Sequence, residues 1–221
     1  MEQRNNYKLT WDELAKTSNS SKTYVAGYLE EEKFEKTAKK TISVLQETTK
    51  INQSDIVLEI GCGVGRVGKP ISKLCKKWIG TDISSNMLGH ARKRLEDIQN
   101  IELLELSDVG LAEIPTDSVD LVYCTVVFMH LYEWDRYKYV KEAHRVLKEG
   151  GRLFVDNFDI TTDIGWKLFE EGYNIPASER PPYLSSFSTG DELSTYLTRA
   201  KFKEVNLHHW SKAWVGAYGV K

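Results

Sequence analysis

The chain has 221 residues, with 30 Lys and Arg against 32 Asp and Glu and a formal net charge of −2. That length suits one α/β domain with a substantial core, and a charge balance without runs of one sign argues against a nucleic-acid binder. Three cysteines without metal-ligand spacing, Cys62, Cys75 and Cys124, read as reduced structural thiols. No segment is long and apolar enough for a bilayer, and a polar N-terminus without a signal-peptide core predicts a cytoplasmic protein with no membrane partner.

Residues 1–28 alternate between aromatic and polar, with Tyr7, Trp11, Tyr24 and Tyr28 flanking a Ser/Thr cluster at 17–23 that predicts a mobile loop. A helix is expected over 30–49, its buried stripe formed by Phe34, Ala38, Ile42 and Leu45. From Asp55 the pattern alternates: strand 55–60, helix 66–75, strand 77–82, helix 85–97, strand 101–106, strand 119–125, helix 134–147 and strand 152–158. Pro70 must lie in the first turn of the 66–75 helix or kink it, because proline has no N–H to donate. Past Asn157 comes an aromatic, proline-bearing segment, and then Thr189 and Glu192 at capping-box spacing open a helix through Leu193, Leu197 and Ala200. Two last strand-like runs, 203–210 and 212–220, are close enough to pair as a hairpin. The expected fold is α/β: a doubly wound, mostly parallel seven-stranded sheet with helices on both faces and a C-terminal antiparallel hairpin.

The most informative stretch is Val57-Leu58-Glu59-Ile60-Gly61-Cys62-Gly63-Val64-Gly65-Arg66. A buried strand turns into a helix there, with glycines where the backbone must bend and admit a ligand. Helix N-termini present unpaired N–H groups, so such a turn suits a polar or anionic ligand. Glu59 ends the strand, and Asp82 ends the next one about twenty residues later, where a ribose is usually gripped. Residues 63–68 also satisfy the dinucleotide fingerprint, but its first glycine should leave the strand directly. Gly61 takes that place, and Arg66 then stands where the third glycine belongs. A carboxylate at Glu59 would repel a pyrophosphate and suits a ligand with positive charge.

That acid-x-Gly-x-Gly-x-Gly run followed by Asp82 resembles the cofactor site of class I S-adenosylmethionine-dependent methyltransferases. Ser107-Asp108-Val109 and 114–122 look like the family's adenine loop and fourth strand, and 145–153 resembles its approach to strand five. The resemblance runs from Glu30 to the C-terminus and includes the terminal hairpin. It implies S-adenosyl-L-methionine as cofactor. Gly61, Gly63 and Gly65 would let the backbone approach the methionine and ribose moieties, and Glu59 would offset the ammonium. Asp82 would hold the ribose hydroxyls, Ile83 the adenine face, Asp108 the adenine amine and the Val109 N–H a ring nitrogen, with the Cys124 main chain beside the methionine tail. The single domain, 1–221, is expected to divide into an N-terminal lid (1–28), read from the Ser/Thr cluster and the aromatics that flank it, a cofactor-binding core (29–158), an acceptor-side insertion (159–190) and a C-terminal helix and hairpin (191–221).

Methyl transfer to oxygen or nitrogen needs alignment, exclusion of water and a base for the proton. His130 follows strand four and Asp156 ends strand five, so the pair is the expected catalytic set. His-Leu with Asp-Asn is similar to the arrangement in protein N-terminal α-amine methyltransferases, although no tryptophan precedes His130 in strand four and the 159–190 insertion is dissimilar. Trp11, Tyr24, Tyr28, Tyr132 and Trp166 are the expected acceptor-binding aromatics. His208-His209 is not expected to chelate a metal, since neighbours in a strand face opposite ways. The expected function is methyl transfer to an oxygen or nitrogen of a small molecule. A protein or peptide amine methyltransferase, a non-catalytic cofactor-binding protein and a nucleotide-binding oxidoreductase are the alternatives.

Overall fold

The computed structural model describes residues 6–27 and 30–221, with the side chains of 24–26 left out. Seven strands form one sheet: β1 (Ile56–Ile60), β2 (Lys77–Asp82), β3 (Ile101–Glu105), β4 (Val119–Cys124), β5 (Leu147–Phe158), β6 (Lys203–His209) and β7 (Trp214–Val220). Their order is β3-β2-β1-β4-β5-β7-β6. The first five are parallel, and β7 runs antiparallel between β5 and β6. The expected sheet and its terminal hairpin are both present.

Helices cover both faces, and the strand alternation decides which residues meet them. Val57, Trp78, Leu121, Tyr123 and Phe154 face a layer built from Val44 and Leu45 of α3 (Glu31–Thr49), Ile71 of α4 (Gly68–Ile71) and Leu88 and Ala91 of α5 (Ser85–Arg94). Leu58, Ile60, Val122, Leu153 and Val155 face the opposite layer. There Tyr139, Val140 and Ala143 of α6 (Glu133–Val146) join Leu193 and Leu197 of α8 (Gly190–Arg199). Chain order reverses between β1 and β4, so a crevice opens at the carboxyl ends of the central strands, where open α/β sheets bind ligands.

Three expectations are revised. The Ser/Thr cluster at 17–23 is not a loop but most of helix α2 (Ser18–Ala26). Thr17 accepts from the Ser20 N–H at 3.1 Å while Ser20 Oγ accepts from the Thr17 N–H at 3.2 Å, so these residues start a helix. The helix expected over 66–75 shrinks to the single turn α4, with Pro70 in that turn, where a missing N–H is tolerated. Beyond it the bonds tighten to Lys73 N–H on the Pro70 carbonyl and Leu74 N–H on the Ile71 carbonyl. Strand β5 begins at Leu147 rather than 152, pairing first with Val119 before the register shifts. The 159–190 segment carries α7 (Asp163–Tyr173), capped by Thr162. His208 faces Glu47 and His209 faces Asp159, so the two imidazoles diverge.

The Trp78 indole packs against α4, and a Cβ on Gly68 would come within 2.2 Å of its ring. Ala normally stabilises a helix relative to Gly. Here the methyl group has no room, so Gly68→Ala should destabilise the protein by roughly 1–3 kcal/mol. Thermal denaturation checks the sign, and a higher Tm would show that the indole can yield.

Candidate active site

The crevice is built around Glu59. Register sets Glu59 of β1 beside Gly80 of β2 and Tyr123 of β4. Tyr123 Oη donates to Glu59 Oε2 and accepts from Trp78 Nε1 at 3.1 Å, so one buried relay fixes one carboxylate oxygen. Burial pushes the Glu59 carboxyl up to about 8, against the opposing pull of the Tyr123 hydroxyl and the Arg66 charge. Arg66 is itself buried, which lowers its pKa. Its Nη1 donates to Thr37 Oγ1 at 3.0 Å, while its buried Nε has no hydrogen-bond partner among the described residues. A buried guanidinium N–H left unpaired is costly and marks a place where an acceptor fits.

Asp82 closes the other side. Its Oδ2 accepts from the Gly63 N–H at 2.8 Å and its Oδ1 from the Ser84 N–H at 2.9 Å, which locks the glycine turn to the end of β2. Burial raises its pKa to about 6 even against those two donors. The Ile83 N–H acts on the carboxylate as well, and with about four acceptor sites the group still has capacity for a ligand hydroxyl.

The cleft encloses about 830 Å³, open solvent at its mouth included. Of the residues expected from the sequence, Trp11, Glu59, Gly61, Gly63, Asp82, Ile83, Val109 and His130 line it. Gly65 does not. A Cβ there would meet Leu95 at 2.7 Å, so this glycine serves helix packing rather than ligand approach. Asp108 points outward, accepting from the Val109 N–H at 2.7 Å and lying 3.8 Å from Lys138 Nζ, so it already occupies the donor expected for adenine. Cys124 is buried in the sheet, and Thr125, Val126 and Val127 line the cleft beyond it.

Two expected acceptor contacts also move. Tyr132 gives its N–H to Tyr7 Oη at 3.1 Å and packs its ring on Trp134. Trp166 sits on α7, half exposed and stacked on Phe169. Tyr28 lies outside the described residues, as does the side chain of Tyr24. Asp156 is buried behind the cleft wall, where its Oδ1 accepts from the Val126 N–H at 2.8 Å. Val126 has φ of 64°, an unfavourable conformation for a β-branched residue, so the carboxylate anchors a strained wall segment.

His130 does reach the cleft. It ends a 3-10 turn (Phe128–His130), and its Nδ1 lies 3.0 Å from the Tyr183 carbonyl oxygen. A carbonyl only accepts, so the neutral ring carries its proton on Nδ1 and Nε2 is the basic nitrogen. The edge of Trp11 meets the ring with centroids 4.8 Å apart. Trp11 comes from α1 (Tyr7–Leu14), which roofs the crevice. Tyr7 Oη donates to Asp135 at 2.6 Å, Lys8 binds Ile83 O and Glu105, and Asp12 accepts from Ser84 Oγ at 2.7 Å. The sequence reading missed Arg66, Tyr7 and the 125–127 wall. A lone arginine immediately after the glycines, ahead of an apolar helix face, was the available signal for the first.

A seven-stranded sheet with this order and a carboxylate-flanked glycine turn at the switch point defines a Rossmann-like cofactor-binding domain. Residues 58–155 match the family described as a methyltransferase domain. A probable S-adenosylmethionine-dependent methyltransferase from Mycobacterium tuberculosis is 31% identical over 151 residues, 67% of this chain and 49% of that one. A ubiquinone/menaquinone biosynthesis C-methyltransferase from Chromobacterium violaceum is 30% identical over 148 residues, 65% of this chain and 58% of that one. The chain therefore spans about half the length of curated relatives it matches. Among solved structures, the N-methyltransferase NodS of Bradyrhizobium japonicum with bound S-adenosylhomocysteine superposes with a TM-score of 0.67 at 16% identity, covering 98% of both chains, which shows the fold. The chain belongs to the class I S-adenosylmethionine-dependent methyltransferases, whose shared cofactor is S-adenosyl-L-methionine.

No described helix is long and apolar enough to cross a membrane, and no described cluster of His, Cys, Asp or Glu could hold a metal ion. The Glu59 carboxyl makes the site sensitive to pH. Burial favours its protonated form, whereas a cationic ligand beside it favours the ionised form, which lowers its pKa. Binding should then release about one proton and strengthen as pH rises towards 8. Calorimetry of S-adenosylmethionine binding in two buffers of different ionisation enthalpy measures that proton. Equal enthalpies in both, or an unchanged release in Glu59→Gln, would contradict this role for Glu59.

Proposed function

We propose that the protein transfers the methyl group of S-adenosylmethionine to an oxygen or nitrogen of a small molecule. The observation that carries this reading is the cleft itself. It joins a carboxyl suited to a cation, an unpaired guanidinium N–H and a buried diol acceptor at one end to a histidine under an aromatic roof at the other. Glu59 would face the ammonium or sulfonium charge, Arg66 the carboxylate of the methionine tail, and Asp82 the ribose hydroxyls.

When bound, the sulfonium supplies an electrophilic methyl group. The chain's own residues do the rest. Tyr7 and Trp11 close α1 over the cleft and keep water out, which supports residues 1–28 as a lid. His130 Nε2 takes the proton that an amine or hydroxyl must lose as its bond to carbon forms. Asp156, through Val126, holds the wall and touches no reacting atom in this reading. A small acceptor is favoured over a polypeptide because α1 is pinned to β3, α5 and α6 and covers the chamber. Three buried thiols without disulfides support a cytoplasmic location.

Calorimetry with S-adenosylmethionine, S-adenosylhomocysteine and NAD tests the cofactor assignment, and saturable binding of NAD alone would overturn it. Asp82→Ala should weaken S-adenosylhomocysteine binding by roughly 1–3 kcal/mol through lost charge-assisted bonds. Unchanged affinity would mean that the ribose is held elsewhere. His130→Gln should leave that affinity intact but cut methyl transfer, in a screen of small amines and alcohols with radiolabelled donor, by about 10²–10⁴-fold.

A further inference from the structure

Arg136 of α6 has no solvent exposure at all, yet it lies outside the cleft lining. Its guanidinium is bound on every side. Nε donates to the Phe128 carbonyl at 2.9 Å, and Nη1 reaches Ser188 Oγ and Glu192 Oε1, both at 3.0 Å, and the Phe187 carbonyl at 3.3 Å. Nη2 donates to Ser186 Oγ. One planar cation thus joins the 128–130 turn, close to it in sequence, to the 186–188 segment and the start of α8, which lie 50 to 56 residues further along the chain.

Those pieces are the ones that hold His130. Ser186 gives both its N–H, at 2.7 Å, and its hydroxyl, at 2.9 Å, to the Met129 carbonyl, the residue before the histidine. Tyr183, three residues upstream of Ser186, supplies the carbonyl at His130 Nδ1. Asn157 at the end of β5 adds a bond from Nδ2 to Ser188 Oγ at 2.9 Å. Glu192 sits three residues after the capping Thr189, but its carboxylate is drawn to Arg136 and to Tyr196 Oη rather than back to the cap.

We propose that Arg136 is a positioning residue: it clamps the 128–130 turn to the 183–188 segment and thereby fixes the ring orientation and tautomer of His130. The inference rests on the reading of His130 as the base. A buried cation with one carboxylate partner is a poor source of net stability, but its fork geometry holds several acceptors at set angles, which an ammonium cannot do. A methyl transferred in line leaves little tolerance for a misplaced base.

The test is long-range ¹⁵N–¹H NMR of the imidazoles in the full chain, with His130 identified as the signal missing from His130→Gln. In the unmodified protein, His130 should show a single Nδ1–H tautomer. Arg136→Lys should turn it into an averaged mixture near that of free imidazole, while S-adenosylhomocysteine affinity measured by calorimetry changes less than about twofold. Ser186→Ala removes only the hydroxyl that links the clamp to Met129, and it should shift the tautomer ratio in the same direction. It decides the matter where Arg136→Lys does not fold. A folded Arg136→Lys that keeps the Nδ1–H tautomer would overturn the proposal, as would an unchanged His130 in Ser186→Ala with Arg136→Lys unfolded. Failure of S-adenosylhomocysteine to bind the unmodified protein would sink the cofactor assignment and leave the tautomer measurement standing.

Discussion

A carboxyl group placed between the ends of three parallel strands, cut off from water, constrains much of what surrounds it here. Glu59 cannot ionise cheaply in that position, which is why its pKa rises to about 8. Tyr123 and Trp78 supply hydrogen bonds from the two flanking strands, and both are fully buried to do so. The indole then needs space, and Gly68 leaves it. Arg66 lies close enough to act on the carboxyl electrostatically, and it is buried in turn with one N–H unpaired. In the proposed reading, a ligand carrying both a cation and a carboxylate meets Glu59 with the one and Arg66 with the other.

The two ends of the cleft are built on different principles. The cofactor end uses strand termini and the turn that follows β1, so a few consecutive residues set its geometry. The acceptor end is assembled from distant segments: α1, the 128–130 turn and the stretch from Tyr183 to Ser188. The match to the methyltransferase family covers residues 58–155, so Tyr7, Trp11, Tyr183 and Ser186 all fall outside it. This is why the family is plain while the acceptor is not. In the proposed reading the family-matched part of the chain holds the cofactor, and segments outside it, with Tyr7 and Trp11 in the lining and the Tyr183 carbonyl at His130, complete the chamber.

The polar links across the roof follow the same division. Lys8 and Asp12 attach α1 to the ends of β2 and β3 and to the start of α5, which belong to the cofactor half. Tyr7 attaches it to the start of α6, next to the acceptor half. In the proposed reading, a helix bound to both halves links cover over the cofactor to cover over the acceptor.

The sequence by itself determined the seven strands and most of the helices between them, and it singled out Glu59, Gly61, Gly63 and Asp82, which the structure brings together in one cleft. Those features are carried by local periodicity and by short-range spacing, such as Glu59 to Gly63 and the carboxylate at Asp82. It did not reveal that Thr17 starts a helix, because Ser and Thr serve loops and caps equally well until a partner such as Ser20 is in place. It suggested a catalytic Asp156, but only the packing of β5 against the loop after β4 turns that carboxylate to the Val126 N–H. It did not reveal the hydrogen bonds of Tyr7 and Arg136 to Asp135 and Glu192, 128 and 56 residues away. Contacts at such separations leave no periodic trace along the chain, so only the tertiary structure decides them.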